Sequence, residues 1–312
     1  MVNFEELKNN IKGVAVVMTT PFRKDYSLDE EGLKRLTRFL LDSGLQKGSG
    51  VLIPAGSTGE CPMLTDEERK RIFEITKKET GDHIPVIGGC NHTDTRTVIK
   101  LVHYAEEAGL DGVMISPPYY WKPNEEVILT HYKAIAKETR MGIIVYNNWF
   151  STQLDISVET MISLVNEIPN IIALKENTPY IGKFAKMVEA VGDKIAVLNG
   201  TGEAHEPYAA LMGTQGFISG PACFIPKTCL ALYQAEVQKD WVKAKDILRK
   251  IKPILEFISS GKHDASYLIN IKTALNILGL PGGVPRLPLL PADEEKKEEC
   301  RKALGKCGLL DK

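Results

Sequence analysis

Short apolar, β-branched runs alternate along this chain with longer stretches whose hydrophobic residues recur at helical spacing. The runs lie at 13–19, 50–55, 84–88, 112–116, 142–147, 171–175, 195–199 and 216–219. Each is too short for a helix and too uniformly apolar for a half-exposed strand. They predict strands buried on both faces, as in a parallel sheet.

The stretches between them predict helices. One opens at Ser27-Leu28-Asp29-Glu30 and carries Leu33, Leu36, Leu40 and Leu41 toward a core. Thr65 and Glu68 have the spacing of a reciprocal capping box. Asp94 and Ser157 are expected to cap two further helices, whose apolar stripes run through Val98, Leu101, Val102 and Ala105, and through Met161, Leu164 and Val165. Eight strand–helix units without a large insertion predict a (β/α)8 barrel, an α/β fold. An open doubly wound sheet is the competing topology. Against it, Thr19-Thr20-Pro21-Phe22 follows the first strand where a G-x-G-x-x-G turn belongs. The barrel is expected over 1–225, through the onset of its eighth helix. The remainder, 226–312, reads as helix 8 and a C-terminal helical extension packed on the barrel in one structural unit. Its helices are expected at 241–257, 265–278 and 293–304, with a break at Leu280-Pro281-Gly282-Gly283-Val284-Pro285.

The 312 residues carry 39 Lys and Arg against 40 Asp and Glu, a formal net charge of −1. Nucleic-acid and membrane-surface partners are not expected, because both call for bulk positive charge. No apolar run approaches the roughly 20 residues of a membrane span. The opening Met1-Val2-Asn3-Phe4-Glu5-Glu6 lacks the apolar core of a signal peptide. Six cysteines, scattered and without a C-x-x-C pair, are expected as reduced thiols of a cytoplasmic protein.

In such a barrel the chemistry gathers where the strands end. Lys175 ends the sixth apolar run, where desolvation lowers the pKa of an amine. A neutral amine can attack a ketone, whereas at a pKa near 10.4 only about one in a thousand is neutral at pH 7.4. The competing reading is a strand-end lysine that snorkels to water or pairs with Glu176. Tyr146 ends the neighbouring run, within plausible reach of Lys175, and a phenol there can shuttle protons. Gly56-Ser57-Thr58-Gly59-Glu60 offers two hydroxyls and a turn of backbone N–H groups for an anion, a carboxylate rather than a phosphate because no Lys or Arg lies within it. Glu203, His205 and Glu206, with His92, raise a metal-dependent alternative, but no recognised ligand spacing accompanies them.

The hydroxyl loop after strand 2, Tyr146 after strand 5 and Lys175 on strand 6 together resemble the family of pyruvate-handling class I aldolases that contains dihydrodipicolinate synthase and N-acetylneuraminate lyase. Thr19-Thr20-Pro21-Phe22, Pro118-Tyr119-Tyr120, Val145-Tyr146-Asn147, Ile172-Ala173-Leu174-Lys175-Glu176 and Gly216-Phe217-Ile218-Ser219 extend the likeness over essentially the whole chain. The resemblance implies a lyase without metal or organic cofactor, working through a covalent Schiff base between Lys175 and pyruvate or a related 2-oxo acid. It implies a proton relay through Tyr146, and a carboxylate held by Ser57 and Thr58 on the turn that Gly56 opens. Ile218 would line the pyruvate side, and Tyr120 would reach across a dimer interface into a neighbour's relay. The implied assembly is a homotetramer built as a dimer of dimers.

One departure bears on the second substrate. The synthase reads Tyr-Asn-Val-Pro-Ser-Arg-Thr-Gly after strand 5, and its arginine grips the carboxylate of an amino-acid semialdehyde. Here Ser151 occupies the arginine position and Trp149 the proline position. Serine cannot replace a bidentate guanidinium fork. A pocket walled by Trp149 and Phe150 is expected to take a different aldehyde, larger or more apolar, such as those of the family's aromatic hydratase-aldolases or of its sugar-acid aldolases and dehydratases; the competing reading packs the two rings under the loop. The alternatives are an authentic 4-hydroxy-tetrahydrodipicolinate synthase that grips its aldehyde otherwise, and a non-catalytic barrel that binds a 2-oxo acid.

Overall fold

The computed structural model describes residues 4–261 and 265–310. Met1–Asn3, at the start of the segment read above for a leader, lie outside the described residues, as do 262–264 and 311–312 of the C-terminal extension. Eight parallel strands form one sheet: β1 Gly13–Val17, β2 Gly50–Ile53, β3 Ile87–Gly89, β4 Gly112–Ile115, β5 Gly142–Asn147, β6 Ile171–Glu176, β7 Ala196–Asn199 and β8 Gly216–Ser219. Their order is β2-β1-β8-β7-β6-β5-β4-β3, and a parallel bridge between Leu52 and Val86 joins the two ends. This is the expected barrel, and not an open doubly wound sheet. Every residue of all eight strands is buried.

β3 begins three residues later than its apolar run. Pro85 has no N–H for a ladder, and only its carbonyl takes part, accepting from Leu52 N–H at 2.9 Å. Gly89 ends β3 where a Cβ would fall 2.3 Å from the carbonyl oxygen of Ala55, so only glycine lets the strand pass the β2 loop.

The helix caps follow the side-chain chemistry. Asp29 accepts from Gly32 N–H at 3.2 Å, so the first long helix is Glu30–Asp42. Thr65 and Glu68 form the reciprocal box at 3.0 and 3.2 Å. Asp94 and Ser157 cap the helices Thr95–Glu107 and Val158–Glu167. The pattern of hydrophobic positions did not signal the helix Phe4–Asn10. Its Leu7 packs into the barrel interior beside Ala15, Ile144, Ile172 and Ala196, so it seals the bottom of the barrel.

After β8 come the helices Pro226–Val237, Trp241–Ser259, Ser266–Ile277 and Glu294–Lys306. Ile251, Ile254, Ile271, Leu275 and Leu304 join the same apolar cluster as the barrel's outer face. Burial of this kind contributes roughly 25 cal/mol per Å² of apolar surface, which holds the extension against the barrel. None of the six cysteines is in a disulfide, and five are buried. Among the described residues no helix is long and apolar enough to cross a membrane.

Candidate active site

The C-terminal ends of the strands surround a cavity of about 930 Å³. Its walls include Ser57, Thr58, Tyr146, Trp149, Ser151, Lys175 and Ile218, which the sequence had singled out from four separate segments. Gly56 is buried beside the cavity rather than lining it. Its carbonyl accepts from the N–H groups of Gly59 at 3.0 Å and Cys61 at 3.2 Å, which winds the turn.

Alternation along β6 decides which way its last two side chains point. Lys175 faces the barrel interior and is 5% exposed, whereas Glu176 faces outward and is fully buried behind the sheet. The two therefore do not pair. Tyr146 lies directly opposite Lys175 in the β5–β6 ladder, and the lysine Nζ sits 3.7 Å from the centroid of the phenol ring. Burial pulls the Lys175 amine down to about 7 from its ordinary value near 10.5, with Cys61 opposing weakly. Burial likewise pushes the Tyr146 phenol upward, opposed by the Ser57 side chain beside it.

The hydroxyl loop is held between two residues in the left-handed region, Ala55 at φ 54° and Glu60 at φ 60°. Non-glycine residues there carry strain that their surroundings must hold in place. Glu60 is fully buried, and its carboxylate receives two donors from the C-terminal extension. Lys272 Nζ pairs with one carboxylate oxygen, and Arg286 N–H donates to the other at 2.8 Å. Lys272 also donates to the Val284 carbonyl at 2.8 Å. Arg69, buried under the same loop, donates to the carbonyls of Cys61 at 2.7 Å and Asn91 at 3.2 Å. Within the loop, Gly59 and Cys61 donate their N–H groups to the Gly56 carbonyl and Glu60 donates its own to the Ser57 carbonyl. Among the described residues no protein acceptor takes the N–H of Ser57 or Thr58, so these two remain for an anion.

Trp149 and Phe150 begin a one-turn helix, Trp149–Thr152, capped by Asn148. They are 40% and 41% exposed, line the cavity and meet edge to face at 5.8 Å. Both rings stand over the cavity rather than under the loop. Tyr120 is not among the cavity walls of its own chain. It is 79% exposed at φ 87°, beside an 80% exposed Trp121.

Sequence reading missed the roof. Ser259, Ser266, Tyr267, Leu268 and Leu289 of the extension close over the cavity. Lys272 and Arg286 were missed as well. A lone lysine inside an apolar helix stripe was the available signal for Lys272. The acids suspected as metal ligands turn away from the cavity. Glu203 accepts from the Ser219 hydroxyl and, at 3.3 Å, from the Cys229 thiol, and Glu206 accepts from Asn199 at 3.0 Å and Ala210 N–H at 3.1 Å.

The Dihydrodipicolinate synthetase family matches residues 10–307 of the chain. The 4-hydroxy-tetrahydrodipicolinate synthase of Prosthecochloris aestuarii is 34% identical over 303 residues, 96% of this chain and 98% of that protein. The enzyme of the same name from Methanococcus maripaludis is 34% identical over 302 residues, 96% of this chain and all of the relative. Among solved structures, the chloride-inhibited dihydrodipicolinate synthase of Acinetobacter baumannii complexed with pyruvate superposes with a TM-score of 0.89 at 31% identity, covering 96% of this chain and 100% of that one. A monomeric dihydrodipicolinate synthase variant matches with the same TM-score and identity, covering 97% of this chain and 98% of its own. With a barrel of this topology, a strand-end lysine against a tyrosine, and likeness over nearly its full length, the chain belongs to the dihydrodipicolinate synthetase family and is a lyase of the class I aldolase type.

Proposed function

We propose that Lys175 forms a Schiff base with pyruvate or a related 2-oxo acid, and that the imine drives carbon–carbon bond formation or cleavage, or the corresponding dehydration or hydration. The observation that carries this reading is a buried Lys175 amine, held at about 7, against the face of Tyr146. Near neutral pH about half of such amines are unprotonated and nucleophilic.

Each step uses groups already described. The free N–H groups of Ser57 and Thr58 hold the substrate carboxylate. Lys175 Nζ attacks the 2-oxo carbon. The Tyr146 phenol passes a proton to the departing hydroxyl, and water leaves as the carbon–nitrogen double bond forms. The protonated imine accepts electrons from C3, either when a C3 proton leaves or when a C3–C4 bond breaks. The resulting enamine attacks an aldehyde carbon in the forward direction. Water then hydrolyses the imine and frees the lysine. No metal or organic cofactor is called on.

The second substrate in this reading is an aldehyde without a carboxylate grip at position 151. Ser151 cannot offer a fork, and among the described cavity walls Lys175 is the sole Lys or Arg. Half-exposed Trp149 and Phe150 favour an apolar or aromatic group, which gains by covering them. The names of the relatives favour a second reading, an authentic 4-hydroxy-tetrahydrodipicolinate synthase. Complementation of a strain requiring diaminopimelate distinguishes the two.

The assembly in this proposal is a homotetramer, a dimer of dimers, in which Tyr120 enters a neighbour's relay. Support comes from the exposed and backbone-strained Tyr120 beside Trp121. Sedimentation of the purified chain, with and without Tyr120→Ala, tests it. We assign the enzyme to the cytoplasm on its unpaired cysteines.

Borohydride reduction in the presence of pyruvate tests the central step. The expected result is an irreversible mass increase on the peptide containing Lys175, absent from Lys175→Ala. Pyruvate binding without any adduct would instead identify a non-catalytic binder.

A further inference from the structure

Tyr146 and Asn147 end β5 and point to opposite faces. The phenol enters the barrel, and the amide is fully buried behind it. This amide uses three bonds. Its Oδ1 accepts from Ile156 N–H at 3.0 Å. Its Nδ2 donates to Asp155 Oδ1 at 2.8 Å and to Glu176 Oε1 at 2.7 Å. The segment from 147 to 156 therefore leaves the sheet at Asn147 and returns to the side chain of the same residue. Trp149, Phe150 and Ser151 lie inside that closed loop.

The closing residues are themselves fixed. The Thr178 hydroxyl donates to Asp155 Oδ2 at 2.8 Å, and Lys183 forms an ion pair with Asp155. Thr178 N–H donates to the same Glu176 oxygen at 2.6 Å. Glu176 follows Lys175 in the chain and faces Asn147 in the ladder. One primary amide thus ties the aromatic wall of the cavity to the strand that carries the lysine. An aspartate at 147 would bring a third carboxylate against Asp155 and Glu176 without any N–H to offer them.

We propose that Asn147 is a positioning residue for the second-substrate wall: its side-chain amide closes the 147–156 loop and registers Trp149 and Phe150 over Lys175. The lysine and Tyr146 do not depend on it, because the β5–β6 backbone ladder already sets them opposite one another. Capture of the 2-oxo acid and presentation of the wall are therefore separable functions of neighbouring residues. The proposal rests on the imine reading for its first function only.

The test uses the full-length protein with Trp121→Phe and Trp241→Phe, which leaves Trp149 as the sole indole of three. Two measurements are made: borohydride trapping with pyruvate, and acrylamide quenching of Trp149 fluorescence. For Asn147→Ala, trapping at Lys175 is expected to stay within about twofold of the parent. Quenching is expected to rise about twofold, as an indole now 40% exposed leaves the wall. Asp155→Ala opens the same loop from its other end and is expected to move quenching the same way. It also decides the matter if Asn147→Ala does not fold. Unchanged quenching in the folded variants overturns the proposal, and so does loss of trapping in step with the rise in quenching. A parent that never traps pyruvate defeats the imine reading, while the quenching comparison still decides the role of the amide.

Discussion

The Lys175 amine lies 3.7 Å from the centroid of the Tyr146 ring, over its face, while the Ser57 side chain beside the phenol of that ring opposes the upward push of burial. Packing and proton transfer are thereby divided within one side chain. Tyr146→Phe keeps the ring that covers the amine and removes the group that moves the proton. Turnover is expected to fall by about 10²–10⁴-fold, the usual worth of a positioned acid–base group. The rate of borohydride trapping should fall as well, while the pH midpoint of trapping stays in place. Stopped-flow trapping across a pH series measures both quantities.

Because the neutral amine is the nucleophile, the trapping rate of the wild-type protein should rise with pH, with its midpoint near the Lys175 value of about 7. The lowered value places about a tenth of the lysine in the reactive form at pH 6 and about nine-tenths at pH 8. A midpoint near 10 would show that the lysine is hydrated.

Ser151→Arg restores a guanidinium at the cavity wall. It should raise kcat/KM for a carboxylate-bearing aldehyde by at least about tenfold, in line with a charge-assisted hydrogen bond of roughly 1.5–3 kcal/mol. Pyruvate trapping should not change. Competition between a carboxylate-bearing and a neutral aldehyde reads the shift directly.

Lys272→Met breaks a buried ion pair and leaves Glu60 charged inside the protein. Removal of one partner from such a pair costs about 3–5 kcal/mol. The loss should appear as a lower denaturant midpoint. Because Glu60 ends the hydroxyl loop, KM for pyruvate should rise as well. The double variant Lys272→Met, Glu60→Gln should recover part of the stability.

Glu236 is buried, one of its carboxyl oxygens has no hydrogen-bond partner among the described residues, and burial together with nearby Glu206 and Glu203 raises it to about 9. A carboxyl raised in the folded state binds its proton more tightly there than in the unfolded chain. Stability is therefore lost as pH climbs from the ordinary carboxyl value of 4.5 toward 9. Glu236→Gln should raise Tm at pH 8 by a few degrees and change little at pH 4. Thermal melts at the two pH values check the sign.

Much of this architecture is written into local chemistry. Eight doubly buried strands, four capped helices and the residues at the strand ends were legible because burial on both faces demands unbroken apolar runs, and because Asp, Ser and Thr caps act over three residues. The β3 start was misjudged by three residues, since hydrophobicity does not register the missing N–H of Pro85. The helix Phe4–Asn10 was missed because one turn of buried Leu7 among charges carries almost no period.

The sequence by itself determined the barrel and the pairing of Lys175 with Tyr146, because strand order and two-residue alternation follow from nearest neighbours in the chain. Tertiary structure alone decided that the Trp149 and Phe150 rings line the cavity, and that Lys272 reaches Glu60 across 212 residues. It also decided that Asn147 locks the loop between them. These outcomes depend on which surfaces meet in space, and a linear pattern of apolar and polar residues does not encode where a long side chain or a closing loop finds its partner.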